Sequence, residues 1–217
     1  MEQTTPVKNN RAVLLLIGGI PVTMILAATW LWFFVASGDL DLVQALGTAN
    51  RGTLVEPPRQ LDDRDLTDDT ALPAKFADLD PPRWAFLVPG DGASCDAQCE
   101  KTLYTTRQIH IALGKEFNRV RRLYVGTDAL ADTRLGVSEL SDGAPAPASF
   151  ADYLDTEHRG LNAFTVSDAD FAALFPEYAE NDSTWYLVDP KGWIMMSYNG
   201  EIPYKDVISD LKFLLKN

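Results

Sequence analysis

Histidine and cysteine are the scarcest chemistry-bearing residues of this 217-residue chain, which has two of each. With so few imidazoles the sequence holds no His/Glu pairing of the catalytic-metal type. It also has no Gly-rich phosphate loop and no nucleophile elbow. Internal repeats are absent. Positive charge is short as well, with 19 Lys and Arg against 31 Asp and Glu. Only Lys8, Arg11 and Glu2 of these precede residue 37, so the rest of the chain carries a formal charge of −13. Such a surface argues against nucleic acid as a partner and is repelled by anionic headgroups, while a basic protein partner would be attracted over long range.

One long apolar run is present. Residues 12–36 contain no charge, and 25 residues of helix rise about 37 Å, enough to span a bilayer with some tilt. A cleaved signal peptide is the alternative, with small residues at Ala36 and Ser37, but the run exceeds the roughly 7–15 residues of a usual signal core. Lys8 and Arg11 precede it and Asp39 and Asp41 follow, so the positive-inside bias puts the N-terminus in the cytoplasm and the remainder across the membrane. Trp30, Trp32, Phe33 and Phe34 cluster at the far end, where amphipathic rings favour the interface. The expected organisation is a cytoplasmic tail at 1–11, a transmembrane helix at 12–36, a tether at 37–81 and a single folded domain at 82–217. The expected location is a bacterial inner membrane or its equivalent, crossed once, with a periplasmic C-terminal domain and lipid contact through the anchor.

The tether is expected to be extended or partly ordered, because Asp62, Asp63, Asp65, Asp68 and Asp69 mix there with Pro57, Pro58 and Pro73. Its start, 42–49, can prolong the membrane helix by a turn or two. Beyond it, 84–88 predicts a buried strand ended by the Pro89-Gly90-Asp91-Gly92 turn. Ser94 is the expected cap of a helix over 95–117, on which Cys99, Leu103, Thr106, His110, Leu113 and Phe117 form one stripe. A strand at 121–125, a turn-rich loop at 136–148, a helix at 150–158, a strand at 163–165 and a Ser167-capped helix follow. Strands at 184–188 and 193–198 flank the Asp189-Pro190-Lys191-Gly192 loop as a hairpin, and an amphipathic helix occupies 203–215. This order predicts an α/β fold, a mixed sheet with flanking helices that suits a thioredoxin-like layout.

Cys95 and Cys99, four residues apart, are the candidate reactive groups. At a helix start the unpaired N–H groups and the dipole favour thiolate over thiol, with Asp96 and Glu100 opposing. On a regular helix, Cβ atoms at this spacing stand about 5–6 Å apart, whereas a disulfide wants roughly 3.5–4.5 Å. Bridging therefore requires local distortion, which suits a switching dithiol better than a staple. The same sulfurs are candidate Cu(I) ligands, since the soft ion favours thiolates. A third ligand is hard to find. His110 falls about 16 Å along the helix from Cys99 and is expected in the core. His158 is expected as a cation near a helix C-terminus. Met195 and Met196 alternate across a strand, one facing inward.

Residues 84–88, the Gly-rich turn, Cys95-x-x-x-Cys99 at a helix start and the hairpin with Tyr186-Leu187-Val188-Asp189-Pro190-Lys191-Gly192 resemble the Sco (SenC-type) family of membrane-anchored, thioredoxin-like proteins. The resemblance covers about 82–217. It implies maturation of the dinuclear copper centre of cytochrome c oxidase, by copper delivery or by reduction of that site's cysteines, with an oxidase subunit or another respiratory assembly factor as partner. In that family both cysteines and a histidine before the final hairpin hold copper. Here Glu100 stands where a proline usually follows the second cysteine, and the histidine segment is Asn181-Asp182-Ser183. Asp182 is a hard ligand poorly matched to Cu(I). Three functions stay open. They are a Sco-like assembly factor acting by thiol exchange with transient copper as an option, a general thiol–disulfide oxidoreductase, and a non-redox accessory subunit of a respiratory complex.

Overall fold

The computed structural model describes residues 10–36 and 50–215, and the chain divides into two compact units, residues 1–49 and 50–217.

The first unit is helix α1, Asn10–Ala36. Its segment Leu15–Phe33 is long and apolar enough to cross a membrane, and none of it is buried. The two hydroxyls of the segment are satisfied within it: Thr23 Oγ1 donates to the Ile20 carbonyl and Thr29 Oγ1 to that of Ile25. The expected extension over 42–49 and the tail at 1–9 lie outside the described residues.

The second unit is built on an eight-stranded mixed sheet. Its strands are β1 Thr53–Gln60, β2 Leu66–Asp68, β3 Pro73–Ala74, β4 Trp84–Gly90, β6 Val120–Gly126, β8 Leu161–Thr165, β9 Trp185–Val188 and β10 Trp193–Tyr198, in the spatial order β1-β10-β9-β4-β6-β8-β2-β3. The central β4, β6 and β8 run parallel and the remaining pairs antiparallel. The Ser94–Cys95 and Arg134–Leu135 segments, β5 and β7, form a separate two-stranded pair. The helices are α2 Ala97–Ala112, α3 Phe150–Glu157, α4 Asp168–Leu174, α5 Pro176–Glu180 and α6 Tyr204–Leu214.

Period-two alternation divides the core into two layers. Phe86, Val88, Val120, Tyr124, Trp185 and Leu187 face a layer completed by Leu103 and Ile109 of α2, Phe150 and Tyr153 of α3, and Val207 and Leu211 of α6. Ala85, Leu87, Leu123, Val125, Tyr186 and Val188 face the opposite layer, with Phe171 and Leu174 of α4 and with Leu61, Leu66 and Phe76. This is the thioredoxin-like mixed sheet with flanking helices that the element order predicts.

The last three of those residues correct the tether expectation. From Asn50 onward the segment belongs to the globular unit, and its aspartates terminate turns. Asp62 accepts from the backbone N–H groups of Phe76 and Ala77 at 2.6 and 3.1 Å. Asp68 accepts from Thr70 N–H, Thr70 Oγ1 and Leu72 N–H. Thr70 first and Leu72 next hold its carboxyl below the usual range. Pro57 and Pro58 sit where the β1–β10 register shifts, on an outer strand that tolerates a missing N–H.

β1 is fastened at its start by a buried carboxylate of α6. Asp210 Oδ2 accepts from the backbone N–H groups of Arg51 and Gly52, at 2.9 and 3.1 Å, and from Tyr198 Oη at 3.2 Å.

Candidate functional site

Cys95 and Cys99 are joined in a disulfide. Two local expectations change here. Cys95 lies in β5, ahead of the helix, and the N-cap is Asp96, whose Oδ1 accepts from the N–H groups of Gln98 and Cys99 at 3.0 and 2.9 Å. The bridge therefore spans the cap and links a strand residue to the third residue of α2, with Cα atoms 5.2 Å apart. No helical turn has to be distorted. Asp96 captures the cap with a side chain two residues further along than Ser94, which is why the helix starts later than expected. It ends earlier too, at Ala112, and residues 114–119 continue as a 3-10 turn on which Phe117 is 41% exposed.

Both sulfur-bearing residues are buried, Cys95 at 1% exposure and Cys99 at 6%. The cover includes the long loop after β6. Its strand β7 pairs Arg134 with Ser94 and Leu135 with Cys95, and Gly136 N–H donates to the Cys95 carbonyl at 2.7 Å. Leu135, Val137 and Leu140 pack into the layer that contains both cysteines. Glu100, next to Cys99, is only 3% exposed. Its carboxylate accepts from Ser141 N–H at 3.0 Å, from Ser141 Oγ at 2.5 Å and from Tyr153 Oη at 3.3 Å. A residue noted in the sequence for its charge beside the cysteines and for the proline it replaces thus ties the loop to the helix. No spacing rule points to Ser141 as its partner.

The remaining candidates are dispersed. Asp182 is exposed on the turn before β9. Its neighbour Ser183 lines a cavity with Gln98 and Lys101 from the start of α2, so Asp182 lies toward the mouth of that helix. His110 is a core residue, as expected. Its Nε2 lies 2.9 and 3.0 Å from the carbonyls of Phe117 and Val120, and its ring stacks on Phe117. His158 is not the expected cation: burial first, then Arg122 and Arg107, push it down to about 3. Met196 is buried and Met195 half-buried, the alternation expected of a strand.

Copper as cargo needs donors beyond two sulfurs to be held as the resemblance implies. Among the described residues no group of three His, Cys, Asp or Glu is placed to hold a metal ion, and both histidines face other partners. The donor set does not fit a three-ligand Cu(I) site.

The profile of the family described as transmembrane-like, thioredoxin-like, C-terminal domain matches residues 84–217, and the chain belongs to that family. No curated protein sequence matches. Among solved structures the chain is similar to yeast Sco1 with copper bound, at 15% identity and a TM-score of 0.52 over 79% of this chain and 96% of that one. It is also similar to apo Sco1 from Thermus thermophilus, at 16% identity and a TM-score of 0.50 over 78% of this chain and 100% of that one. Both of these neighbours are Sco proteins, and the fold they share with this chain is thioredoxin-like.

Proposed function

We propose that this chain is a membrane-anchored, extracytoplasmic assembly factor for cytochrome c oxidase that acts on its partner by thiol–disulfide exchange through Cys95 and Cys99. One observation carries the reading. The only two cysteines of the chain are bonded to each other at the mouth of the first long helix of a Sco-like fold. In the exchange a partner thiolate attacks one sulfur, the Cys95–Cys99 bond breaks, and a mixed disulfide forms as the other cysteine leaves as a thiolate and takes up a proton. A second partner thiol resolves that bond, so two electrons and two protons pass from the partner's dithiol to the cysteine pair, and the partner leaves oxidised. Run in reverse, the reduced pair opens a disulfide in the partner. No step passes through copper, because the residues do not supply its third ligand.

The burial of both sulfurs favours a second reading, an accessory module in which the disulfide is a staple. Complementation separates the two. In a host lacking the protein, Cys95→Ser and Cys99→Ser should each fail to restore the absorption of the oxidase copper centre under the exchange reading. In the reverse direction the single-serine variant that keeps the attacking cysteine should also retain a partner as a mixed disulfide on gels run without reductant, because the thiol that would resolve it is gone. Full restoration by both variants would establish the accessory role instead.

A further inference from the structure

We propose that residues 127–149 form a displaceable strap, and that its docking on Cys95 and Glu100 sets the rate at which the Cys95–Cys99 disulfide reacts. The inference deepens the exchange reading and takes its biological purpose from it, although its physical content stands on the strap alone.

The strap is one layer thick. Leu130, Leu135, Val137, Leu140, Ala144 and Ala146 pack into the layer that contains the cysteines, while Ser138, Glu139 and Gly143 are exposed. Its hold on the disulfide is local. The backbone contributes the two-residue β5–β7 pair and the bonds from Arg134 N–H to the Ala93 carbonyl and from Gly136 N–H to the Cys95 carbonyl. The side chains contribute two adjacent ties to α2, Ser141 to Glu100 and Asp142 to Arg107 at 3.6 Å. Beyond these points the strap adds Leu130 at one end and only the small side chains of Ala144 and Ala146 at the other. A segment with few buried contacts opens at a free energy well below that of global unfolding.

Lifting the strap leaves no charge stranded. Glu100 keeps Tyr153 Oη, and Arg107 keeps Glu157 at 2.6 Å. It does release the Ala93 and Cys95 carbonyls, the acceptors that an extended, thiol-bearing segment of a partner can take over beside the sulfurs. Such a partner would displace the strap and meet the disulfide in one motion.

The test measures reduction of the full chain in detergent micelles by dithiothreitol, whose own two thiols close to a cyclic disulfide as the cysteine pair opens. Freed thiols are counted by a mass-tagged maleimide. Ser141→Ala removes the hydroxyl tie, and Gly136→Ala puts a Cβ 3.1 Å from the Cys95 carbonyl oxygen and 3.3 Å from Asp96 Cα. Ser141→Ala is expected to be reduced roughly tenfold faster than wild type, the scale of one lost hydrogen bond to a charged group, and Gly136→Ala by a similar factor because the added methyl crowds β7 away from β5. The wild-type rate should rise with urea less steeply than the equilibrium unfolding curve, because only the strap opens. Two results would overturn the proposal: variant rates within about twofold of wild type, below that scale, or a wild-type urea slope equal to that of global unfolding. The urea slope decides even if a variant fails to fold. A strap that fails this test leaves the complementation result standing, and serine variants that complement fully leave the strap kinetics standing.

Discussion

Arg122 Nη1 lies 2.7 Å from His158 Nδ1 in the interior of the globular unit. Because the guanidinium can only donate, Nδ1 accepts and the imidazole is neutral, with its proton on Nε2. Burial, followed by the Arg107 charge, lowers Arg122 to about 10, so it stays charged at physiological pH. The pair makes protonation of His158 unfavourable from both directions.

Stability should therefore fall as pH drops from 6.5 toward 3. In the unfolded chain His158 takes up its proton near its ordinary value of 6.5, while the folded chain resists until about 3, so the unfolded state binds more protons across that window. By linkage the loss between pH 7 and pH 5 is about 2 kcal/mol. Asp68, whose pKa is also depressed, adds loss of the same sign at lower pH. Urea unfolding at several pH values checks this, and His158→Gln should flatten the curve between pH 7 and 5.

Replacing Asp210 should be costly. Asp210→Ala removes the acceptor shared by Arg51 N–H, Gly52 N–H and Tyr198 Oη, leaving buried donors unpaired at a cost of about 2–4 kcal/mol. Asp210→Asn keeps one carbonyl oxygen and should lose less. The unfolding midpoints of the two variants, compared with wild type, give the ranking.

Reduction should lower stability modestly. In the chain-entropy account a bridge closing so short a loop is worth about 2 kcal/mol. Wild type treated with reductant should melt earlier, and the Cys95→Ser/Cys99→Ser double variant should not respond to reductant at all.

Cu(I) should be held weakly by the reduced chain. Two thiolates without a third ligand lose to a chromophoric Cu(I) chelator more readily than a complete site does, and Asp182→His, which replaces a hard oxygen with an imidazole at the mouth of α2, should shift the competition toward the protein. The chelator's absorption reports the difference directly.

The strands of the central sheet were legible because both of their faces are buried, which leaves near-continuous apolar runs such as 84–88 and 184–188. The cysteine pair was legible for its scarcity. The segment 53–81 was not, because its apolar anchors Leu61, Leu66 and Phe76 are widely spaced, and aspartates that cap turns have the same composition as aspartates in solvent. The helix cap was misplaced by two residues because Ser94 and Asp96 are both good caps, and only the pairing of Ser94 with Arg134 decides between them. The sealing of the sulfurs depends on a contact across 41 residues, Glu100 to Ser141, and no local pattern encodes it. The neutral state of His158 is no more local, since burial in the folded core comes first and Arg122 then reaches it across 36 residues.

The seat of β1 under α6 bears on where the polypeptide can be cut. A fragment beginning at Trp84, where the family match begins, would discard β1, bare the hydrogen-bonding flank of β10 and strand the Asp210 carboxylate. Bare flanks of this kind recruit other molecules through strand pairing. A soluble piece for biophysics should begin no later than Asn50.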